Sequence, residues 1–187
     1  RIEPAIDLVE KGKIDYLVLE CLAERTIALA QQRKTRNPSE GYDLLLERRM
    51  ESLLPAIVKH HVRIITNMGA ANPIAGAKKI QEIAERLGLS VKVAAVTGDD
   101  VLDKISLDDK TLESDRPLRD YEPIISANAY IGIEGILQAL ETDADIVITG
   151  RAADPSLFLA PMVYHYKWTK EDVDKLANGT VLGHLME

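Results

Sequence analysis

Five short runs of strand length, each leading into a small or polar loop and then a helical pattern, constrain this chain more than any other feature. Tyr16–Leu19 runs into Glu20-Cys-Leu-Ala-Glu-Arg25, and Val62–Thr66 into Asn67-Met-Gly-Ala-Ala-Asn-Pro73. Val91–Val96 runs into Thr97-Gly-Asp-Asp100, the weaker Pro123–Ala127 into Asn128-Ala-Tyr-Ile-Gly132, and Ile146–Ile148 into Thr149-Gly-Arg-Ala-Ala-Asp-Pro155. Strands that are apolar along their length need cover on both faces, as in a parallel sheet. Strand–loop–helix repetition builds such a sheet through crossovers of one hand. The expected fold is therefore α/β over residues 1–187, with a doubly wound open parallel sheet favoured over part of a β/α barrel.

Apolar spacing and punctuation predict the helices. One covers Ile2–Lys11 with Gly12 as its C′ residue, and another runs from the first loop through Ala30, before a polar loop at Gln31–Gly41. A third spans Asp43–His60, kinked or divided by Pro55. Asn72 caps and Pro73 opens a helix to Leu87, stopped by Gly88. A short helix is expected near Val101–Ile105, then a charged, proline-bearing excursion or lid at Ser106–Pro123, then a helix to about Leu140. Asp154 as cap and Pro155 as first residue open a helix to about Tyr166, and Thr169 with Asp172 forms the capping box of the last one. The chain starts without Met and stops without a polar tail, so it reads as part of a longer protein.

Composition narrows the function classes. A hydrophobic share of 46% and a charged share of 28% are those of an ordinary soluble protein. The net charge of -7, with no dense Lys/Arg run, argues against nucleic acid as partner. No apolar stretch approaches the roughly 18–20 residues that span a bilayer, and nothing resembles a signal peptide. A cytoplasmic protein with no membrane partner is expected, and a homo-oligomer is left open. The single Cys excludes an internal disulfide and a Cys-based zinc cage. The glycine fingerprint of NAD-binding domains, the Walker phosphate loop and the hydrolase elbow are all missing.

Two loops match on their prolines, Gly69-Ala-Ala-Asn-Pro73 and Arg151-Ala-Ala-Asp-Pro155, and Thr97-Gly-Asp99 matches Thr149-Gly-Arg151. Small residues let backbone approach a ligand, and a fresh helix start points N–H groups at it. The same pattern is also an efficient way to start a helix. In parallel sheets, ligands sit outside the carboxyl ends of strands, where these loops lie. The candidate ligand-binding residues are Gly69, Ala70, Ala71, Asn72, Gly98, Tyr130, Gly150 and Arg151, and the candidate catalytic ones are Glu20, Asn67, Asp99 and Asn128.

Arg151 suits a carboxylate or phosphate, or else forms a salt bridge with Asp99 that holds the rim together. Glu20 or Asp99 would move a proton if burial raises its pKa. Alternatively Glu20, Asp99 and Asp100 would supply oxygens to Mg²⁺, which usually takes one or two carboxylates. Asp100 and Asp154 read first as helix caps, and Glu24 with Arg25 as an exposed first-turn pair. Cys21 lacks a legible base, and His60-His61 sits at a helix end, where histidine complements the dipole.

Taken together, Asp15–Ala30, Thr66–Pro73, Val96–Asp100, Ser126–Gly132 and Ile148–Asp154 resemble the N-terminal part of the acyclic terpene utilisation (AtuA-type) family. The resemblance spans nearly the whole chain. Family members are longer, and precede the equivalent of Arg1-Ile-Glu-Pro4 with a strand and a glycine-rich Ser-Gly-Asp loop, so the resemblance implies a fragment lacking that first strand and the C-terminal half. The resemblance implies a role in bacterial breakdown of acyclic terpenoids such as citronellol and geraniol, which proceeds through branched acyl-CoA acids. It carries over no established reaction or catalytic residues. The expectation is a metabolic enzyme domain acting on a small anionic carbonyl compound, with a non-catalytic binding or scaffold subunit as the rival.

Overall fold

The computed structural model describes residues 2–186. Among them, four strands form one all-parallel sheet: β1 (Tyr16–Leu19), β2 (Arg63–Thr66), β3 (Val93–Val96) and β4 (Ile146–Thr149), in the order β1-β2-β4-β3. Leu17 pairs with Ile64, Ile64 with Ile146, and Val93 with Ile146. The helices are α1 (Glu3–Lys11), α2 (Glu24–Arg36), α3 (Leu46–His60), α4 (Pro73–Arg86), α5 (Glu134–Glu141), α6 (Asp154–Tyr166) and α7 (Val173–Met186).

Period-two alternation divides each strand between two cores. Leu17, Ile64, Ile146 and Ile148 join α1, α3 and α4 on one face, around Val9, Leu53, Leu54, Ile57, Ile80 and Ile83. Ile65, Val96 and Val147 join α5 and α6 on the other, around Ile136, Leu140, Leu157 and Phe158. A fully buried aliphatic side chain contributes about 1.5–3 kcal/mol, so the two layers lock the sheet between them. Helix α7 packs on α6, where Gly179 lies against Leu159 and Trp168, and Gly183 against Phe158 and the Pro155 carbonyl.

Topology places a crevice between two of the strand ends. The chain moves across the sheet from β1 to β2 to β3 with α3 and α4 on one face, then steps back to β4 with α5 on the other. Crossovers of a single hand require that pairing of direction with face. Neighbouring strands β2 and β4 therefore send their loops to opposite faces, the first into α4 and the second into α6. Their carboxyl ends flank the switch point where doubly wound sheets bind ligands.

The structure corrects several expected elements. Pro123–Ala127 forms no strand; it is irregular chain. The Ala127 carbonyl accepts the Val101 N–H, and the Ala129 N–H donates to the Asp99 carbonyl. The segment thus zips onto the loop beyond β3 instead of onto a strand. That pairing also confines Val101–Ile105 to a turn where a helix was expected. Helix α2 runs to Arg36, not Ala30, because Gln, Arg and Lys are good helix formers. It ends at extended Asn37, the residue before Pro38. Helix α3 begins at Leu46 and continues through Pro55, held on both sides by buried Met50, Leu53, Leu54 and Ile57. Gly12 ends α1 in a right-handed conformation, and Lys13 carries the positive φ. Asp154 is the first residue of α6 and not its cap, which is Ala153. Helix α7 starts at Val173, although Asp172 does accept the Thr169 N–H at 2.8 Å.

Candidate functional site

The loops beyond the four strands meet in one chain of hydrogen bonds. Its centre is Asp99, only 4% exposed. Its Oδ2 accepts the Arg151 backbone N–H at 2.8 Å and the Asn128 amide at 3.0 Å. Both of these contacts from other loops fall on Oδ2. The carboxylate lies directly over Gly150, where any Cβ would collide with it. Burial pushes the Asp99 carboxyl above its ordinary range, and the Arg151 N–H and Asn128 amide pull it back in part.

The Arg151 side chain, also 4% exposed, turns away from Asp99. Its Nη1 donates to the Leu22 carbonyl at 2.6 Å, and its Nη2 to Tyr130 Oη at 2.7 Å and to Glu24 Oε1. Tyr130 donates in turn to the same Glu24 oxygen at 2.6 Å, and its ring lies 4.4 Å from the guanidinium carbon. Hydrogen bonding from Tyr130, with the Arg151 charge behind it, holds the Glu24 carboxyl below its usual range. So the ion pair of Arg151 is with Glu24, and Asp99 takes only its backbone N–H. Parallel pairing of Ile131 with Ala152 fixes the segment that carries Asn128 and Tyr130 against the loop that carries Arg151.

A second knot joins β1 and β2. Asn67 is fully buried, with its Oδ1 accepting the Cys21 N–H at 2.8 Å and its Nδ2 donating to Glu20 Oε1 at 2.8 Å. Glu20 Oε1 also accepts the Leu22 N–H at 2.9 Å. Because Leu22 is the residue whose carbonyl holds Arg151, the two knots are continuous. Glu20, Asn67, Asp99, Asn128, Tyr130 and Arg151 therefore belong to one connected rim.

The loop after β2 is more closed than a ready anion cradle. Its Ala70, Ala71 and Asn72 N–H groups donate to Asn67, Gly41 and Gly69 carbonyls, and the Met68 N–H donates to Thr66 Oγ1. Gly69, Ala70 and Ala71 are buried. Gly69 fits because a Cβ there would strike the Thr149 carbonyl across the crevice. Asn72 caps α4 through Ala75 N–H at 3.2 Å, as expected. Gly98 stands apart at the exposed end of β3, with φ +117° and open space around it.

Other candidates fall outside the rim. Asp100 pairs with Lys34 at 3.4 Å. The Cys21 thiol accepts from Arg49 at 3.0 Å, and burial raises its pKa to about 11. His61 ends α3 in a left-handed conformation, at the amino end of β2. Among the described residues no three His, Cys, Asp or Glu side chains cluster closely enough to hold a metal ion, and no helix is long and apolar enough to cross a membrane. Sequence reasoning missed Leu22, which acts through its carbonyl and so leaves no side-chain signal, and Lys34, which it assigned to a loop.

No curated protein and no solved structure matches the chain significantly. The family model described as acyclic terpene utilisation family protein AtuA matches residues 1–187. The chain, with its parallel sheet and connected rim, belongs to the AtuA family of acyclic terpene utilisation proteins.

Proposed function

We propose that the rim is the ligand site of a metabolic enzyme of acyclic terpene utilisation, acting on a small anionic carbonyl compound such as a branched carboxylate or acyl-CoA. The observation that carries this reading is Asp99: a buried carboxyl with a raised pKa, anchored through Oδ2 by the Arg151 N–H and the Asn128 amide, beside the β2–β4 switch point. A carboxylate held in that way is a stronger base than one in water and needs no reorganisation to accept a proton. Asp99 would take a proton from carbon or water next to the carbonyl, and Asn128 would hold it in place. Glu20, tied through Oε1, is the second base, or with Asp99 a ligand for Mg²⁺. Asn67, buried with both ends of its amide engaged, is a positioning residue for Glu20. Arg151 is the anchor for the anionic group, which must share or replace its contact with Glu24.

A second reading has its own support. The guanidinium and the loop N–H groups are already engaged within the protein, as suits a binding or scaffold subunit that assembles with a catalytic partner. Incubation with Mg²⁺ and a panel of branched acyl-CoAs and carboxylates separates the two. Turnover that falls on Asp99→Asn supports the enzyme. Tight binding with no turnover, together with strong partner capture, overturns it.

A further inference from the structure

Helix α2 differs from the other helices of the crossovers. Only Ile27 and Ala30 of its thirteen residues are buried, and they rest on Leu22, Ala70 and Ala71 in a small cluster separate from both sheet cores. Ala28 and Leu29 are exposed and the rest of the helix is polar, yet both its ends hold on to loops of the rim. Its first turn reaches Arg151 and Tyr130 through Glu24, and its last turn reaches Asp100 through Lys34. In the rim Asp99 and Arg151 are each 4% exposed and Asn67 is not exposed at all. A ligand that meets these groups has to move something, and of the crossover helices α2 to α5 it is α2 that buries the fewest residues.

We propose that α2 is a lid over the rim, latched by Glu24 on Arg151 and Tyr130. The latch is asymmetric: the Glu24 side chain is 79% exposed, whereas its Arg151 partner is 4% exposed. Glu24 thus gives up little when it returns to water, and Arg151 and Tyr130 then offer their donors to another carboxylate. Exchange of one carboxylate for another leaves the charge at the rim unchanged. The exposed Lys34–Asp100 pair is of the kind that contributes little, and the last turn is held by Arg33, which donates to the Tyr42 carbonyl at 2.7 Å, so release of Glu24 frees the first turns of the helix. Glu24 would act as an internal stand-in for the ligand's anionic group, and in this respect the inference rests on the rim being the ligand site.

Amide hydrogen exchange on the whole chain tests the lid without any activity assay. In Glu24→Gln and in Tyr130→Phe, amides of residues 24–36 should exchange about tenfold faster, the factor expected on losing a charge-assisted hydrogen bond. Amides of β2 and β4 should keep their protection. Unchanged α2 exchange in both variants overturns the lid, as does loss of protection across the whole sheet. Isovalerate then probes the rim separately. If it binds the wild type and speeds α2 exchange, the stand-in role of Glu24 is supported. If α2 opens in the variants but isovalerate binds neither variants nor wild type, the lid stands and the reading of the rim as a ligand site fails.

Discussion

Gly69-Ala-Ala-Asn-Pro73 and Arg151-Ala-Ala-Asp-Pro155 have nearly the same letters and follow neighbouring strands, yet they do different work. In the first, Ala70 takes a positive φ of 48° and Asn72 caps α4 with its side chain while holding the Pro38 and Glu40 carbonyls through Nδ2. In the second, the helix begins one residue earlier relative to the proline, so Asp154 is already helical and no side chain caps it. The first loop folds onto itself. The second lies extended against Ile131, gives its Arg151 N–H to Asp99, and sends the guanidinium under α2. A shift of one residue at a helix start separates a structural turn from the loop that carries the charged centre of the rim.

Substitutions can break or sharpen this contrast. Gly69→Ala should have the largest effect, because its Cβ meets backbone that cannot yield; a loss upwards of about 3 kcal/mol is expected in denaturant unfolding. Gly150→Ala, by contrast, meets the movable Asp99 carboxylate and should displace it, lowering activity or ligand binding more than stability. If both glycine variants unfold alike, the two loops are equally structural. Arg151→Ala leaves the Leu22 carbonyl without its buried donor and removes a packed stem, so about 2–3 kcal/mol should be lost along with anion binding. Full retention of stability would mean that Arg151 is not built into the rim.

The helix starts give a finer test. Asn72→Ala should cost about 1–2 kcal/mol as a lost cap, and Asp154→Ala only about 0.3–1 kcal/mol as a lost dipole contact. Equal losses would refute the one-residue shift. The smallest effect is a pH dependence. A folded-state pKa raised above the ordinary 3.8 makes Asp99 favour folding while protonated. That contribution is complete below the ordinary value and disappears as pH rises through the raised one. Stability of the wild type relative to Asp99→Asn should fall across that window in unfolding curves taken at a series of pH values. Parallel curves would show that burial does not govern the carboxyl.

Four of the strands were legible because each is a short apolar run between loop signals, and most helix limits because Asn72, Pro73, Gly88 and Pro155 leave local marks. The expected strand at Pro123–Ala127 failed for a reason invisible locally: its backbone partners are the loops at Val101 and Asp99, distant in sequence. The site was legible as a set of residues beyond strand ends. Its wiring was not. Nothing local says that Arg151 chooses Glu24 over Asp99, or that a carbonyl at Leu22 completes its shell.

By itself, then, the sequence determined that the chain is a layered parallel α/β protein and that its polar residues gather at one edge of the sheet. Periodicity and turn chemistry are local, so they survive without knowledge of neighbours. Only the tertiary structure decided which strands adjoin, where the β2–β4 crevice falls, and which of the gathered groups are anchored and through which atoms. Those outcomes depend on distances between segments about thirty to a hundred and thirty residues apart, and on burial, which is the main cause that raises Asp99 and which leaves Glu24 in water as the lid's latch.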